Sequence, residues 1–379
     1  MTDKYAIPRI DFESDLVATL FAIERLRADI GTGTTPRDTF VELHKLFDMV
    51  MSVVSARIEG NRTTVYDAIS RIDVPASTGR PDEHLKEITN IVEAVRFLDT
   101  LDPRQPLSHA LIRELHDRTV RGLTREGDPT PGAYREREVA ITDSSHVPPS
   151  CVTVHAEMTA LLDFSNTERP MHEQMLQIAI AHHRFVWIHP FGNGNGRVSR
   201  LLTYAMLRRT IFARRGHSAL NPTAVFGNDR DGYMAALEAA DDLSEAGTVR
   251  WIEFFTTGIR DDLARLIKLQ NHDYVIEELV GPALATLARD GIISSDDEAI
   301  LRATLERGVV KAGDLGDVVP GAADRRSRVI RGLLERGLLR QASEGPRFYR
   351  LSLAHGPLAP RLVRRLDRLG YLPKMLSDD

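Results

Sequence analysis

The sequence predicts a mainly helical protein of several domains, with one short extended flap and a C-terminal winged helix. Apolar residues recur at intervals of three and four over much of the chain, which is the spacing of amphipathic helices. A length of 379 residues exceeds one ordinary core, and proline and glycine clusters separate the helical stretches. Strand-like runs are short and occur near residues 139–141 and in the last eighty residues or so.

The composition is that of a globular protein. Hydrophobic residues make up 42% of the chain and charged residues 27%. No run of about 18 apolar residues occurs, and the N-terminal residues are too acidic for a secretory signal. Cys151 is the only cysteine, so one chain can form neither a disulfide nor a thiolate metal cluster. We therefore expect a cytoplasmic protein with no membrane partner.

An N-terminal helical region, residues 1–100, contains the clearest amphipathic pattern. Within residues 38–59, the apolar side chains that form one stripe are Phe40, Leu43, Phe47, Val50, Met51, Val54 and Ile58. Gly60 and Asn61 then end this predicted helix. Further helical patterns follow at residues 82–99, 107–121, 151–164, 172–188 and 231–266.

The segment HPFGNGNGR, residues 189–197, lies between two helical patterns and is rich in groups that bind anions. Glycine alternates with asparagine from residue 192 to residue 196, and both residue types tolerate positive φ. Successive backbone N–H groups can therefore turn toward one point, to which the next helix also presents its positive end. We expect a phosphate group to bind there.

Two cations and a titratable base flank this phosphate cradle. Arg197 and Arg200 lie at the start of the following helix and can neutralise phosphate. His189 can accept the proton of an attacking hydroxyl, an effect worth roughly 100-fold to 10,000-fold in rate. These groups together suit phosphoryl or nucleotidyl transfer. A Rossmann site is excluded by the glycine spacing and the preceding helix, and a Walker site by the lack of GKS or GKT.

The run from His189 to Arg197, followed by Arg200, resembles the signature of the Fic family, HPFx(D/E)GNGRxxR. The resemblance implies a helical Fic core, here residues 101–268, with a short β-hairpin flap. It also implies a nucleotidyltransferase that moves AMP from ATP to a Ser, Thr or Tyr hydroxyl of a target protein, with His189 activating that hydroxyl. The residues it places at the nucleotide phosphates are Asn193, Gly194, Asn195, Gly196, Arg197 and Arg200.

The same resemblance assigns the predicted flap to Val139, Ala140 and Ile141, preceded by the family-like segment GAYRE at residues 132–136. Such a flap would hold the target protein by strand-like pairing. Tyr233 resembles a family position near the adenine, where its ring can stack on the base, and a plain core tyrosine is the alternative. His182 and His183 are adjacent, and we expect core or capping roles for them.

One position departs from the family pattern. Asn193 stands where the signature has an Asp or Glu that binds the metal. Its carbonyl oxygen can reach Mg²⁺ but lacks the charge that makes such sites tight, and Asp143 or the triphosphate itself is another source of ligands. The need for Mg²⁺ is therefore open. The reaction is open as well, since transfer or removal of another phosphate-containing group is the alternative to AMP transfer.

A second resemblance lies N-terminal to the first. SARIEG, from Ser55 to Gly60, resembles the inhibitory motif (S/T)xxxE(G/N) of one class of the Fic family. Ser55 and Glu59 are four residues apart and share a helix face. By the resemblance, Glu59 pairs with Arg200 and holds ATP in an unproductive pose. A solvated glutamate at a helix end is the alternative.

The C-terminal region differs in charge and in pattern. Residues 301–375 contain sixteen Arg and Lys against seven Asp and Glu. Three helical stretches precede two extended runs with a turn at Gly345 and Pro346, which is the plan of a winged helix. We assign this domain to residues 275–355 and a basic tail to residues 356–379.

The partner of this predicted winged helix is open. Four arginines lie on its third helix, where a DNA-binding protein has its recognition surface: Arg325, Arg326, Arg328 and Arg331. Winged helices also bind proteins, so recruitment of the target or formation of a homodimer are alternatives. A DNA-binding regulator whose Fic fold only senses nucleotide is a further hypothesis.

Overall fold

The structure is a computed structural model that describes residues 4–71, 82–142, 144–210, 225–320 and 323–376. The α-helices are α1 (Asp15–Asp29), α2 (Arg37–Ile58), α3 (Val65–Arg71), α4 (Glu83–Thr100), α5 (His109–Val120), α6 (Val154–Asn166), α7 (Met171–Ile188), α8 (Asn195–Thr210), α9 (Val225–Asn228), α10 (Arg230–Ala240), α11 (Glu245–Lys268), α12 (His272–Tyr274), α13 (Gly281–Arg289), α14 (Ser295–Arg307), α15 (Ala323–Glu335) and α16 (Ala359–Arg368). The predicted mainly helical class is confirmed. Asp143 lies outside the described residues.

Within the described ranges, the strands are β1 (Leu339–Ala342) and β2 (Gly345–Leu351), which form one antiparallel hairpin. The hairpin is in the C-terminal region, and its turn lies at residues 343–344, before the predicted position, because Gly345 already pairs with Ala342. The hairpin predicted at the flap was wrong. The described flap residues 139–142 have no strand pairing.

Helix α2 runs through the core, since the apolar stripe predicted for it is buried. Leu43, Val50 and Val54 are each at most 1% exposed. The helix packs against α3, α4 and α8, and it ends at Ile58, followed by Gly60 with a φ of 97°. This positive φ favours glycine and turns the chain away from the helix axis. The end of α2 is thereby placed against the start of α8.

Helices α7 and α8 form the centre of the candidate site. Helix α7 packs against α6, α8 and α11 and is buried on almost all sides, as expected of a largely apolar core helix. It ends at Ile188, the next residue His189 has a left-handed φ of 49°, and Pro190 prevents a further turn. Phe191 then enters the core with 0% exposure and anchors the loop that leads to α8.

The C-terminal elements follow the predicted order of helices and hairpin. Helix α14, a 3-10 helix at Ala312–Leu315, α15 and the hairpin occur in sequence, and the winged-helix assignment remains a prediction. The hairpin rests on α2, where Arg350 Nη1 lies 2.7 Å from Asp38 Oδ1. Residues predicted as a basic tail include α16, whose Leu362 and Leu366 are buried. None of the helices described here has the length and apolar character needed to cross a membrane.

Candidate active site

His189 lies at the rim of the loop between α7 and α8, with part of its side chain accessible. Its Nδ1 lies 3.2 Å from the carbonyl of Val186. A carbonyl accepts only, so Nδ1 carries the proton and Nε2 keeps its lone pair. Burial is the main reason that the pKa of His189 falls to about 4. The imidazole is therefore neutral near pH 7 and can accept a proton at Nε2.

The side chain of Asn195 closes the loop on itself. Its Oδ1 accepts the N–H of Phe191 at 3.0 Å, and its Nδ2 donates to the carbonyl of Phe191 at 2.9 Å. The residue is 2% exposed. Asn195 was predicted to contact phosphate, but both ends of its amide are used within the loop. Its side chain therefore fixes the loop around Phe191, while its backbone begins α8.

Arg197 is a buried cation with a buried partner. Its Nη1 lies 2.8 Å from Glu87 Oε1, and the two side chains are 1% and 2% exposed. Asn61 donates to the other carboxylate oxygen of Glu87 at 2.8 Å, and Arg197 Nη2 donates to the carbonyl of Glu126 at 2.9 Å. This arginine thus ties α8 to α4. Glu87 was not predicted, because an isolated glutamate on a helix carries no signal in the sequence.

Arg200 contacts both residues of the predicted inhibitory motif. Its Nε donates to Ser55 Oγ at 2.8 Å, its Nη2 to the carbonyl of Ser55 at 2.9 Å, and the same Nη2 to Glu59 Oε1 at 2.7 Å. Burial opposes ionisation of Glu59, but the charge of Arg200 and then that of Arg197 outweigh it, so the pKa of Glu59 is lowered. Glu59 is therefore ionised and paired with Arg200.

The carboxylate of Glu59 also lies on the first turn of α8. A Cβ atom added to Gly196 would be 2.2 Å from Glu59 Oε1, so a side chain at that position would collide with the carboxylate. The first turn of a helix presents backbone N–H groups without intrahelical partners, and it attracts anions. The carboxylate thus occupies the position at which the sequence predicted phosphate binding.

Asn193 is turned into the loop. Its Oδ1 accepts the N–H of Gly194 at 2.6 Å and lies 3.4 Å from Arg197 Nη2. The carboxylate of Asp128 contacts the backbone of Asn193, because its Oδ2 accepts the N–H of Asn193 at 3.1 Å. The other oxygen, Oδ1, accepts the N–H of Thr130 at 2.8 Å. Each of these oxygens already accepts a hydrogen bond, and Asn193 Oδ1 also lies near the guanidinium of Arg197. The arrangement does not fit a tight Mg²⁺ site.

Arg135 joins the flap to the end of α7. Its side chain is buried, with Nε donating to the carbonyl of His189 at 2.8 Å, and its backbone N–H donates to the carbonyl of Pro190 at 2.9 Å. Its Nη2 donates to the carbonyl of Pro149, beyond the flap. Between these anchors, Val139 and Ile141 are half-buried and Ala140 is exposed. The predicted flap residues are therefore partly accessible, and they follow Arg135, which contacts the backbone of His189.

Tyr233 lies in the core, which is the alternative that the sequence left open. The ring is 2% exposed, and it packs against Phe226 and Trp251 at centroid distances of 5.1 and 6.0 Å. Its hydroxyl lies 3.0 Å from His182 Nε2. No accessible ring face is left for an adenine to stack on. His182 and His183 are buried and hydrogen-bonded to other core groups, as expected.

Part of the chain is similar to proteins of a known family. Residues 106–207 match the model of the Fic/DOC family. The chain is 28% identical over 196 residues to "Protein adenylyltransferase Fic" of Nematostella vectensis, covering 49% of this chain and 42% of that protein. It is 31% identical over 202 residues to the protein of the same name from Drosophila willistoni, covering 52% and 38%. The chain thus matches less than half the length of these relatives.

A solved structure extends the likeness over most of the chain. The crystal structure of a Fic family protein from Desulfovibrio desulfuricans G20 superposes with a TM-score of 0.57 and 20% sequence identity. The superposition covers 91% of this chain and 98% of that one. At this level of identity the comparison shows a shared fold.

Proposed function

We propose, from the match of residues 106–207 to the Fic/DOC family, that this chain is a protein adenylyltransferase held inactive by its own N-terminal region. The observation that carries the proposal is the contact of Glu59 with Arg200 and with the first turn of α8. The carboxylate of Glu59 pairs with an arginine and also lies at the N terminus of a helix. These are the groups that would receive the phosphates of ATP.

In the proposed reaction, Nε2 of His189 takes the proton from a Ser, Thr or Tyr hydroxyl of the target. The hydroxyl oxygen forms a bond to the α-phosphorus of ATP, the bond from that phosphorus to the bridging oxygen breaks, and pyrophosphate leaves. Backbone N–H groups at the start of α8 and the guanidinium of Arg200 would stabilise the charge on the phosphates. Residues 139–141 are partly accessible and pair with no strand, and we propose that they hold the target by strand-like binding.

Inhibition follows from competition for the same groups. While Glu59 holds Arg200, that guanidinium is not available to the γ-phosphate of ATP, and the carboxylate repels the phosphate from the helix terminus. Removing the carboxylate should free both. Because Asn193 does not fit a tight metal site, we propose that the protein contributes little to binding Mg²⁺ and that any requirement for the metal is weak.

For the C-terminal region we propose a winged helix that recruits the target protein in the cytoplasm. DNA binding and a homodimer remain the alternatives. Of the four arginines named on α15, Arg325 pairs with Asp296 and Arg326 is turned toward backbone carbonyls, whereas Arg328 and Arg331 are exposed. If this surface bound DNA, the affinity would fall steeply with salt.

The decisive experiment is intact-mass spectrometry of Glu59→Gly after incubation with ATP, with and without Mg²⁺. We expect a gain of one AMP on the variant and little or none on the unmodified sequence. The matched control is Glu59→Gly combined with His189→Ala, which should bind ATP but gain no mass. A mass gain that survives His189→Ala would remove that residue from the role of base. No gain from ATP on any variant would favour another donor or a nucleotide sensor.

A further inference from the structure

Two buried side chains from outside the loop hold the backbone of Asn193 from both sides. The N–H of Asn193 donates to Asp128 Oδ2 at 3.1 Å, and its carbonyl accepts from His116 Nε2 at 3.1 Å. His116 is 0% exposed, and the side chain of Asp128 is 1% exposed. Hydrogen bonds in such a place are strengthened by the low local dielectric. The peptide groups around Asn193 therefore have fixed directions.

The tautomer of His116 follows from its second contact. The N–H of Gly132 donates to Nδ1 at 3.0 Å, so Nδ1 carries no proton and Nε2 is the donor to Asn193. Burial is the main cause that lowers the pKa of His116 to about 4, which keeps the ring neutral. The ring also stacks on Phe191, with centroids 3.7 Å apart and planes 9° apart. The direction of the Nε2–H bond is thus fixed by the contacts of the ring with Gly132, Asn193 and Phe191.

This arrangement determines where the next amide points. A trans peptide is planar, so the carbonyl of Asn193 and the N–H of Gly194 face opposite ways. With the carbonyl held by His116, the N–H of Gly194 faces the side of the loop that carries the Asn193 side chain, where it donates to Oδ1 at 2.6 Å. The positive φ of Gly194, 77°, then leads into α8. A tilt of this one peptide would misdirect the phosphate-binding amides.

We propose that His116 and Asp128 are positioning residues for AMP transfer, which hold the Asn193 peptide and so set the direction of the amides that receive the phosphates. The inference rests on the proposed adenylyltransferase function. It also links the loop to the flap, because Gly132, which fixes the tautomer of His116, lies three residues before Arg135. The pair acts through the loop and has no contact with the reacting atoms.

Two substitutions at His116 separate its two hydrogen bonds. In His116→Asn the amide oxygen can stand in for Nδ1 and accept from Gly132, but nothing reaches the carbonyl of Asn193. In His116→Gln the amide nitrogen can stand in for Nε2 and donate to Asn193, while the Gly132 contact is lost. Each variant keeps one bond, so their stabilities should be similar. Asp128→Ala, which removes the acceptor of the Asn193 N–H, is the second test of the pair.

The variants are compared in the Glu59→Gly background by the kcat and the KM for ATP of AMP transfer. Hydrogen–deuterium exchange of the peptide spanning residues 190–197 and the thermal midpoint are measured on the same samples. We expect His116→Asn to lower kcat by roughly 10-fold to 100-fold relative to His116→Gln, with faster exchange in the loop. Asp128→Ala should behave like His116→Asn. Equal kcat values for the two His116 variants overturn the proposal.

The exchange data separate this inference from the proposed function. If Glu59→Gly transfers no AMP, the proposed function fails. Equal hydrogen–deuterium exchange of the loop in the two His116 variants would in that case also show that His116 does not hold the backbone of Asn193. Faster exchange in His116→Asn without any difference in kcat would show a loop contact that transfer does not need, which also overturns the positioning role. The positioning role is also overturned if kcat falls only in those variants whose thermal midpoint is lowered.

Discussion

The buried pair of Arg197 and Glu87 gives a stability prediction with a magnitude that follows from its geometry. Glu87→Gln keeps the shape of the side chain but removes its charge, leaving a guanidinium that is 1% exposed without its ionic partner. Breaking a buried pair on one side costs about 3–5 kcal/mol. The carboxylate of Glu126 lies 4.0 Å from Arg197 Nη2 and compensates in part. We therefore expect a loss at the lower end, about 3 kcal/mol.

The assay is urea unfolding followed by circular dichroism, comparing the free energy of unfolding at neutral pH. The matched control is Glu114→Gln, which breaks the partly exposed pair of Glu114 and Arg118 within α5. That pair is worth only about 0.3–0.5 kcal/mol, because solvent screens it. Glu87→Gln combined with Arg197→Met should recover part of the loss, since no charge then remains buried. A loss for Glu87→Gln no larger than that of the control would refute the reasoning.

Three further predictions concern the site. The pKa of His189 is lowered to about 4, and protonation removes the lone pair of the base. A pH–rate profile of AMP transfer by Glu59→Gly should therefore show no His189 titration between pH 6 and 8. The rate should fall as the pH drops toward 4. Asn193→Asp in the same background should lower the Mg²⁺ concentration needed for half-maximal transfer, and an unchanged metal titration would contradict the role given to that side chain. Tyr233→Phe loses the hydrogen bond to His182 and should reduce the free energy of unfolding by about 1 kcal/mol. The KM for ATP should be unchanged, whereas a raised KM would favour an adenine contact.

Part of the fold could be predicted from the sequence because it depends on short-range patterns. The apolar stripe of α2, its end at Gly60 and the left-handed turn before α8 all follow from residues a few positions apart. The contact of Glu59 with Arg200 was predicted by resemblance, from two motifs that lie 141 residues apart. The hairpin at the flap could not be predicted, because a short run such as residues 139–141 indicates an extended backbone but says nothing about a pairing partner.

The sequence by itself determined the loop between α7 and α8 and the place of its histidine, because glycine, asparagine and a following helix constrain the backbone locally. Only the tertiary structure decided what holds that loop. His116 reaches Asn193 across 77 residues, Asp128 across 65, and Glu87 reaches Arg197 across 110. A buried polar group must find a partner, but packing selects which distant side chain supplies it. The low pKa of His189 has the same origin, since burial exists only in the folded chain.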